Sequence, residues 1–406
     1  MKVEDFPCEF KKAIPIIKRL RQAGFVAYFV GGSVRNFLLG QEIHDIDIAT
    51  SAYPAEIKEI FPRTVDVGIE HGTVMVLYKG RSYEVTTFRT ESAYQDYRRP
   101  DSVIFVRTLE EDLKRRDFTI NALAMDSNGK IIDLFAGKAD LQGKVIRAAG
   151  DSNERFHEDA LRMMRAFRFA SQLGFRIEDT TYQAIQANVS LLEKISMERI
   201  QAEFIKLMLG KFRNKGLRIF IETKAFLHVP CLQQKSFDLK KLLQLPDDTL
   251  HTSSQVWALL GYFLAFSQVD FHKFLREWKE AKAVFREAFL MLELLKKRKH
   301  SEWTNELLFQ AGLDIALLTE ELVQLIWRRG DNEKIKKQFA KLPITSRSEI
   351  AVSGNDLQKE LNRKPGEWLG IMIAQIEQAI LQRKLKNEYQ AIIEFARSEG
   401  EHDKGR

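Results

Sequence analysis

The chain has 406 residues, 45% hydrophobic and 29% charged, a composition that excludes a disordered or collagen-like chain and leads us to expect two to four compact units. No apolar run nears the roughly 18 residues of a membrane span, and the start, Met1 to Pro7, lacks the basic and apolar regions of a signal peptide, so a cytoplasmic protein without membrane contact is expected. The formal net charge of +7 suits a polyanionic partner such as nucleic acid, and equally an ordinary basic surface.

In chain order, an amphipathic helix is expected from Lys11 to Ala23, a strand over Val26 to Val30, and a short helix from Val34 to Leu39 after a glycine pair. Thr73–Tyr78 and Tyr83–Phe88 read as strands joined by the turn Lys79-Gly-Arg81. A second hairpin is expected from Ile120–Met125, returning through Ser127-Asn-Gly129 to Ile131–Asp133. From about Asp151 onward helical periodicity takes over, as in Glu158 to Leu173, Ser196 to Leu209 and Phe271 to Lys297. Breaks fall at Leu245 to Asp248, Arg329 to Asp331 and Leu342 to Thr345, and a frayed polar tail is expected from Gly400 to Arg406. Cys8 and Cys231 lack the paired spacing of a zinc site or a disulfide framework and are expected as free thiols. The fold class is α+β: a small mixed α/β domain followed by an all-helical remainder.

The chemistry begins at Gly40-Gln-Glu-Ile-His-Asp-Ile-Asp-Ile-Ala-Thr50. On a strand, Asp45 and Asp47 project to one face while Ile46 and Ile48 enter the apolar side. Two carboxylates so placed repel unless a cation sits between them. Mg²⁺, which takes one or two carboxylates together with phosphate oxygens, is the natural neutraliser, and the pair becomes the candidate catalytic and metal site. Upstream, the strand ending at Val30 runs into Gly31-Gly32-Ser33, where small residues let a phosphate approach backbone N–H groups, and Arg35 can add a charge-assisted contact. The pattern is neither a Walker A loop nor a Gly-x-Gly-x-x-Gly fingerprint.

Gly31-Gly-Ser-Val-Arg-Asn-Phe-Leu-Leu-Gly40 followed by Asp45-Ile-Asp47 resembles the first motif of bacterial class II tRNA nucleotidyltransferases, the CCA-adding enzymes of the polymerase β superfamily. Asn36 stands where members of that family usually carry Asp. The resemblance extends through Asp112 to Ala122, which implies that Arg116 contacts nucleotide phosphate while Asp117 and Asn121 order the sugar site. Asp133 to Leu141 is similar to the family's hinge motif. The helix from Glu158 to Arg165 carries Glu158, Asp159, Arg162 and Arg165 on one i, i+3, i+4, i+7 face, a spacing that an intrahelical salt-bridge ladder shares. The resemblance makes it an amino-acid template for the incoming base, read by Asp159 and Arg162, with Arg165 and Arg168 beside the nucleotide.

Cytosine and adenine both present an amine donor beside a ring-nitrogen acceptor. A carboxylate and a guanidinium satisfy that pattern and leave uracil and guanine mismatched. The polar stretch Arg89 to Asp101 reads as a mobile loop and resembles the one that full CCA-adding members use to switch from C to A addition. Glu84 is either a third carboxylate or a surface strand residue. Ser196 to Lys206 resembles the family's last motif, which braces the template helix. The basic runs Lys296 to Lys299 and Lys334 to Lys337 suit an RNA backbone as well as plain surface charge.

The expected organisation is a nucleotidyltransferase head (1–150), a nucleotide-selecting neck (151–210), and a helical body (211–300) and tail (301–406) that hold the acceptor and TψC arms of tRNA. The implied function is Mg²⁺-dependent addition and repair of the 3′-terminal CCA of tRNA from CTP and ATP without a nucleic-acid template. An A-adding enzyme, a poly(A) polymerase or a non-catalytic RNA-binding protein are the alternatives. Ile69-Glu-His-Gly-Thr73, which lacks the arginines of the poly(A) polymerases, speaks against the second.

Overall fold

The computed structural model describes residues 6–68, 72–91, 94–95, 99–100, 103–247 and 250–402. The chain divides into two compact units, Met1–Thr249 with Arg276–Lys279, and Leu250–Leu275 with Glu280–Arg406.

The first unit opens with α1 (Cys8–Gln22), whose Phe10, Ile17 and Leu20 are buried; the Phe10 ring meets Phe29 with centroids 4.7 Å apart. Next come β1 (Ala27–Val30), α2 (Gly32–Leu38), β2 (Asp47–Thr50), α3 (Pro54–Ile60), β3 (Thr64–Gly68), β4 (Thr73–Tyr78) and β5 (Arg81–Thr87). The turn between β4 and β5 has positive φ at both Lys79 and Gly80, the backbone that matches strand twist in a two-residue hairpin. Short strands β6 (Arg89–Glu91), β7 (Tyr94–Gln95), β8 (Arg99–Pro100) and β9 (Val103–Phe105) pair β6 with β9 and β7 with β8. The stretch expected as a loop is thus a paired ribbon where described; its residues 92–93, 96–98 and 101 lie outside the described residues, as do Ile69, Glu70 and His71.

The chain continues through α4 (Leu109–Lys114), β10 (Leu123–Met125) and β11 (Ile131–Asp133), completing a mixed sheet of order β11-β10-β1-β2-β5-β4-β3. The expected hairpin forms, with Leu123 opposite Asp133, but its first strand begins three residues late. Thr119–Asn121 is a 3-10 turn instead, because Asn121 is drawn into side-chain bonding with Asp117.

Helices dominate from there: α5 (Gly137–Gln142), α6 (Ser152–Glu158), α7 (Leu161–Leu173), α8 (Asp179–Asn188), α9 (Met197–Met208) and α10 (Arg213–Glu222). The helix expected over Glu158 to Leu173 is broken at Asp159, which takes extended backbone at the end of α6. The helix expected from Phe271 to Lys297 is likewise two, Gln268–Glu277 and Lys282–Arg298, parted where Lys279 turns left-handed.

The second unit is helical. Its core includes the buried ion pair Arg298–Glu320 at 3.1 Å, with Trp303 Nε1–H donating to Glu320 at 2.7 Å. A separate apolar cluster gathers Ile344, Leu357, Ile376, Ile380 and Ile392. The last helix, Tyr389–His402, runs into the segment expected to fray, of which 403–406 lie outside the described residues. A mixed-sheet head with a helical remainder is therefore the architecture. Among the described residues no helix is long and apolar enough to cross a membrane, and both cysteines are free thiols.

Candidate active site

At the end of β1 the chain turns on Gly31, whose φ of 68° lies in the left-handed region. A Cβ there would stand 3.1 Å from Arg116 Nη1 and 3.5 Å from Asp47 Oδ2. Glycine is required for the backbone and for the space together. Gly32 follows with Arg35 close by, and Ser33 is buried with its hydroxyl donating back to Val30 O at 2.9 Å. The Ser33 side chain therefore serves the turn and not the cleft.

Asp47 is the first residue of β2, and Asp45 precedes the strand on an exposed loop. The expectation that one strand presents both carboxylates is thus corrected: β2 begins at the second. Asp47 gains another neighbour instead, because β2 runs parallel to β5 with Asp47 in register with Glu84. Asp45, Asp47 and Glu84 all border one depression of about 950 Å³. Burial, then Glu84, then Asp45 push the Asp47 carboxyl upward, and Arg116 opposes them. Negative charge here exceeds what the protein neutralises, and a divalent cation fits that excess. Among the described residues no three His, Cys, Asp or Glu side chains come together in a group that could hold a metal ion. An open carboxylate set, leaving positions for phosphate oxygens, is the arrangement Mg²⁺ favours.

Arg116 is aimed by Asp112, a carboxylate only 1% exposed that pairs with Arg116 at 3.0 Å and with Arg115 at 2.8 Å. One turn on, Asp117 accepts from Asn121 Nδ2 at 3.0 Å, Phe118 N at 2.8 Å and Arg165 Nε at 2.7 Å. Burial disfavours its charge, but Arg165 and these hydrogen bonds outweigh burial and hold Asp117 at about 2. Asn121 Oδ1 in turn accepts from Arg35 at 2.7 Å. Burial, reinforced by Arg168 and Arg165, lowers Arg35 to about 10, which still leaves it cationic at neutral pH.

The break at Asp159 turns its side chain into the same cleft as Arg162, Arg165 and Arg168. Asp159 accepts from Leu161 N at 3.1 Å and from Arg199 at 2.7 Å. Arg162 is buried and donates to Glu158 at 2.5 Å, Arg115 O at 2.9 Å and Arg155 O at 3.1 Å. Glu158, which also pairs with Arg155, does not line the cleft but anchors Arg162. Arg168 pairs with Glu203 at 2.8 Å. The three guanidinium groups of Arg35, Arg165 and Arg168 surround one ring, Phe169, at 5.1, 5.6 and 4.4 Å from its centroid.

The cleft so formed holds about 740 Å³, and its lining includes the Gly31-Gly32 turn, Asp47, Glu84, Arg116, Asp117, Asn121, Asp159, Arg35, Arg162, Arg165, Arg168 and Arg199. Sequence reasoning gave no role to Asp112, Phe169 or Arg199. Asp112 had a signal, its i, i+3 and i+4 spacing to Arg115 and Arg116. Arg199, forty residues from its partner, lay within the run Ser196 to Lys206 expected to brace the template helix, but its pairing with Asp159 was not legible.

A family model described as "Poly A polymerase head domain" matches residues 27–147, a "probable RNA and SrmB- binding site of polymerase A" matches 174–235, and a putative "tRNA nucleotidyltransferase domain 2" matches 248–396. The chain is 50% identical to the CCA-adding enzyme of Enterococcus faecalis over 404 residues, covering 99% of this chain and 100% of that protein. It is 49% identical to the CCA-adding enzyme of Ligilactobacillus salivarius, covering 98% of each. The chain belongs to the CCA-adding enzyme family. The Bacillus stearothermophilus CCA-adding enzyme, solved in complex with CTP, superposes with a TM-score of 0.89 at 41% identity, covering 98% of this chain and 100% of that one.

Nucleotidyltransferases of the CCA-adding family work with a divalent metal, in keeping with the excess carboxylate charge around Asp47. The departure at Asn36 is also explained locally. Its Oδ1 accepts from Arg35 Nη2 at 2.9 Å, as a carboxylate does, while its Nδ2 donates to Glu42 O at 3.1 Å, which a carboxylate cannot. Asn36 thereby ties α2 to the loop that carries Asp45.

Proposed function

We propose that this chain adds and repairs the 3′-terminal CCA of tRNA, taking CTP and ATP as donors and choosing them with protein side chains. The tRNA 3′-hydroxyl gives up its proton to solvent, its oxygen forms a bond to the α-phosphorus of the nucleotide, the α–β bridging P–O bond breaks, and pyrophosphate leaves with its electron pair. Asp45 and Asp47, with Glu84 beside them, would hold Mg²⁺. When bound, the ion supplies charge neutralisation at the phosphates and lowers the pKa of the attacking hydroxyl.

Arg116, aimed by Asp112, and Arg35 meet the triphosphate, while Gly31 and Gly32 keep the wall of the cleft free of side chains. Asp117 and Asn121 face the sugar. Asp159 accepts from the exocyclic amine of cytosine or adenine, and Arg162 donates to the adjacent ring nitrogen. Uracil and guanine leave both groups unsatisfied, at a cost of about 1–3 kcal/mol each. The helical body and tail, residues 211–300 and 301–406, are assigned to the acceptor and TψC arms of tRNA.

The observation that supports this reading is one common cleft, lined by Asp47 and Glu84, by Arg116 and Arg35, and by Asp159 and Arg162. The test uses tRNA transcripts ending before CCA, after C and after CC, with each nucleotide alone or mixed. CCA addition extends all three and stops after A. Long A runs would identify a tailing polymerase, extension of only the CC-ended transcript an A-adding enzyme, and no incorporation a binding protein. Retained refusal of UTP and GTP by the Asp159→Ala, Arg162→Ala double variant would contradict the base-reading assignment.

A further inference from the structure

The sheet face that carries Asp47 and Glu84 continues past them as a straight cross-strand row. Asp47 on β2 pairs with Glu84 on β5, Glu84 with Met75 on β4, and Met75 with Val65 on β3. Partners in register project to the same face. The opposite face of the same strands holds Val74, Val76, Tyr83 and Val85, all buried. On the open face the side chains become apolar and exposed toward the margin. Val65 is 44% exposed and Leu77, next but one to Met75 on β4, is 42% exposed.

β3 is the edge strand, so the row starts at the carboxylates and ends at solvent. Three strand separations of about 4.8 Å place Val65 roughly 14 Å from Asp47. At a rise of about 3.4 Å per stacked nucleotide, that is the reach of the last few nucleotides of an RNA strand. Exposed Arg63, which precedes β3, Lys79 in the β4–β5 turn and Arg81, which follows it, supply positive charge at the margin.

We propose that this row seats the single-stranded 3′ end of the RNA acceptor. Met75, Val65 and Leu77 contact the faces of the terminal bases, and the arginines and lysine meet the phosphates. The proposal rests on the nucleotidyl-transfer reading, which requires a 3′-hydroxyl at the carboxylates and so requires the preceding nucleotides within about this distance. A surface that accepts any base by its apolar face also suits an acceptor whose terminal base changes after each addition, because contact with a base face carries no hydrogen-bond readout.

The experiment compares full-length wild type with Val65→Glu, Leu77→Glu and with Val65→Tyr, Leu77→Tyr double variants, all at exposed positions. Expected is at least a tenfold loss of the single-turnover rate of C addition in the glutamate variant, with CTP affinity and the gel-shift affinity for tRNA within twofold of wild type. The tyrosine variant, which keeps an apolar face, retains the wild-type rate within threefold. An unchanged rate in the glutamate variant overturns the proposal, and so does a parallel loss of CTP affinity or equal damage by both substitutions. Failure of wild type to extend tRNA would instead sink the underlying functional reading.

Discussion

Asp47 and Glu84 stand in register on adjacent parallel strands, and Arg116, whose Nη1 lies against Gly31, is the cation that opposes their mutual repulsion. Arg116 offsets burial and the Glu84 charge only in part, and the Asp47 carboxyl stays above its ordinary value. Asp45→Ala or Asp47→Ala should each lower the rate of nucleotide transfer about a thousandfold, on the order of 4 kcal/mol. Glu84→Ala should cost about a hundredfold, on the order of 3 kcal/mol. Gel-shift retention of tRNA should persist in all three, since the RNA grip is assigned to other elements. Loss of tRNA binding in parallel with transfer would refute that separation.

Arg199 reaches Asp159 from α9 at 2.7 Å and fixes the carboxylate assigned to base reading. Arg199→Ala should therefore reduce the preference for CTP over UTP by about tenfold, or about 1.4 kcal/mol, through a looser acceptor and not a missing one. Competitive single-nucleotide incorporation measures the ratio. A uniform fall in both rates with the ratio intact would mean that Arg199 only stabilises the fold.

Phe169 is 4% exposed and gathers Arg35, Arg165 and Arg168 around its ring. Each such contact contributes about 0.5–1 kcal/mol, more when desolvated. Phe169→Leu keeps the bulk and removes the π face, so CTP binding should weaken about five- to tenfold while binding of cytidine, which has no phosphates, stays unchanged. Calorimetry with the two ligands distinguishes them. Equal weakening for cytidine would show that the ring supports the base pocket instead.

Asp117 titrates well below an unpaired aspartate, at about 2 against an ordinary 3.8. A carboxylate depressed in the folded state contributes stability that is complete above its unfolded value and is lost as pH falls through its folded one. The window is thus from about pH 4 down to about pH 2, and the contribution is about 2 kcal/mol. Urea unfolding should show Asp117→Asn less stable than wild type at pH 6, with the gap closing toward pH 2. Glu178, also held at about 2 by backbone and threonine donors that outweigh its burial, loses its contribution in both proteins and cancels. A gap that is constant with pH would show that the carboxylate charge is not what matters.

The sequence by itself determined the parts whose signal is local. The glycine turn before α2, the β4–β5 hairpin with its Lys79-Gly80 turn, the Asp-x-Asp spacing and the switch to helical periodicity near residue 151 all depend on neighbours within a few positions. Backbone sterics and side-chain period act at that range. The family motifs are legible for the same reason, since each is a short run of residues.

Only the tertiary structure decided which groups meet across strands and helices. β2 begins at Asp47 and leaves Asp45 on a loop, because the ladder with β1 ends at the Val30–Asp47 pair. Glu84 becomes the partner of Asp47 through a parallel register that no periodicity in either strand encodes. The helical pattern from Glu158 to Leu173 concealed the break at Asp159, where pairing with Arg199 from another helix accompanies extended backbone in a segment whose local spacing favours helix. Periodicity describes one element at a time, whereas register and long-range ion pairs are properties of two, and the cleft is built from the second kind.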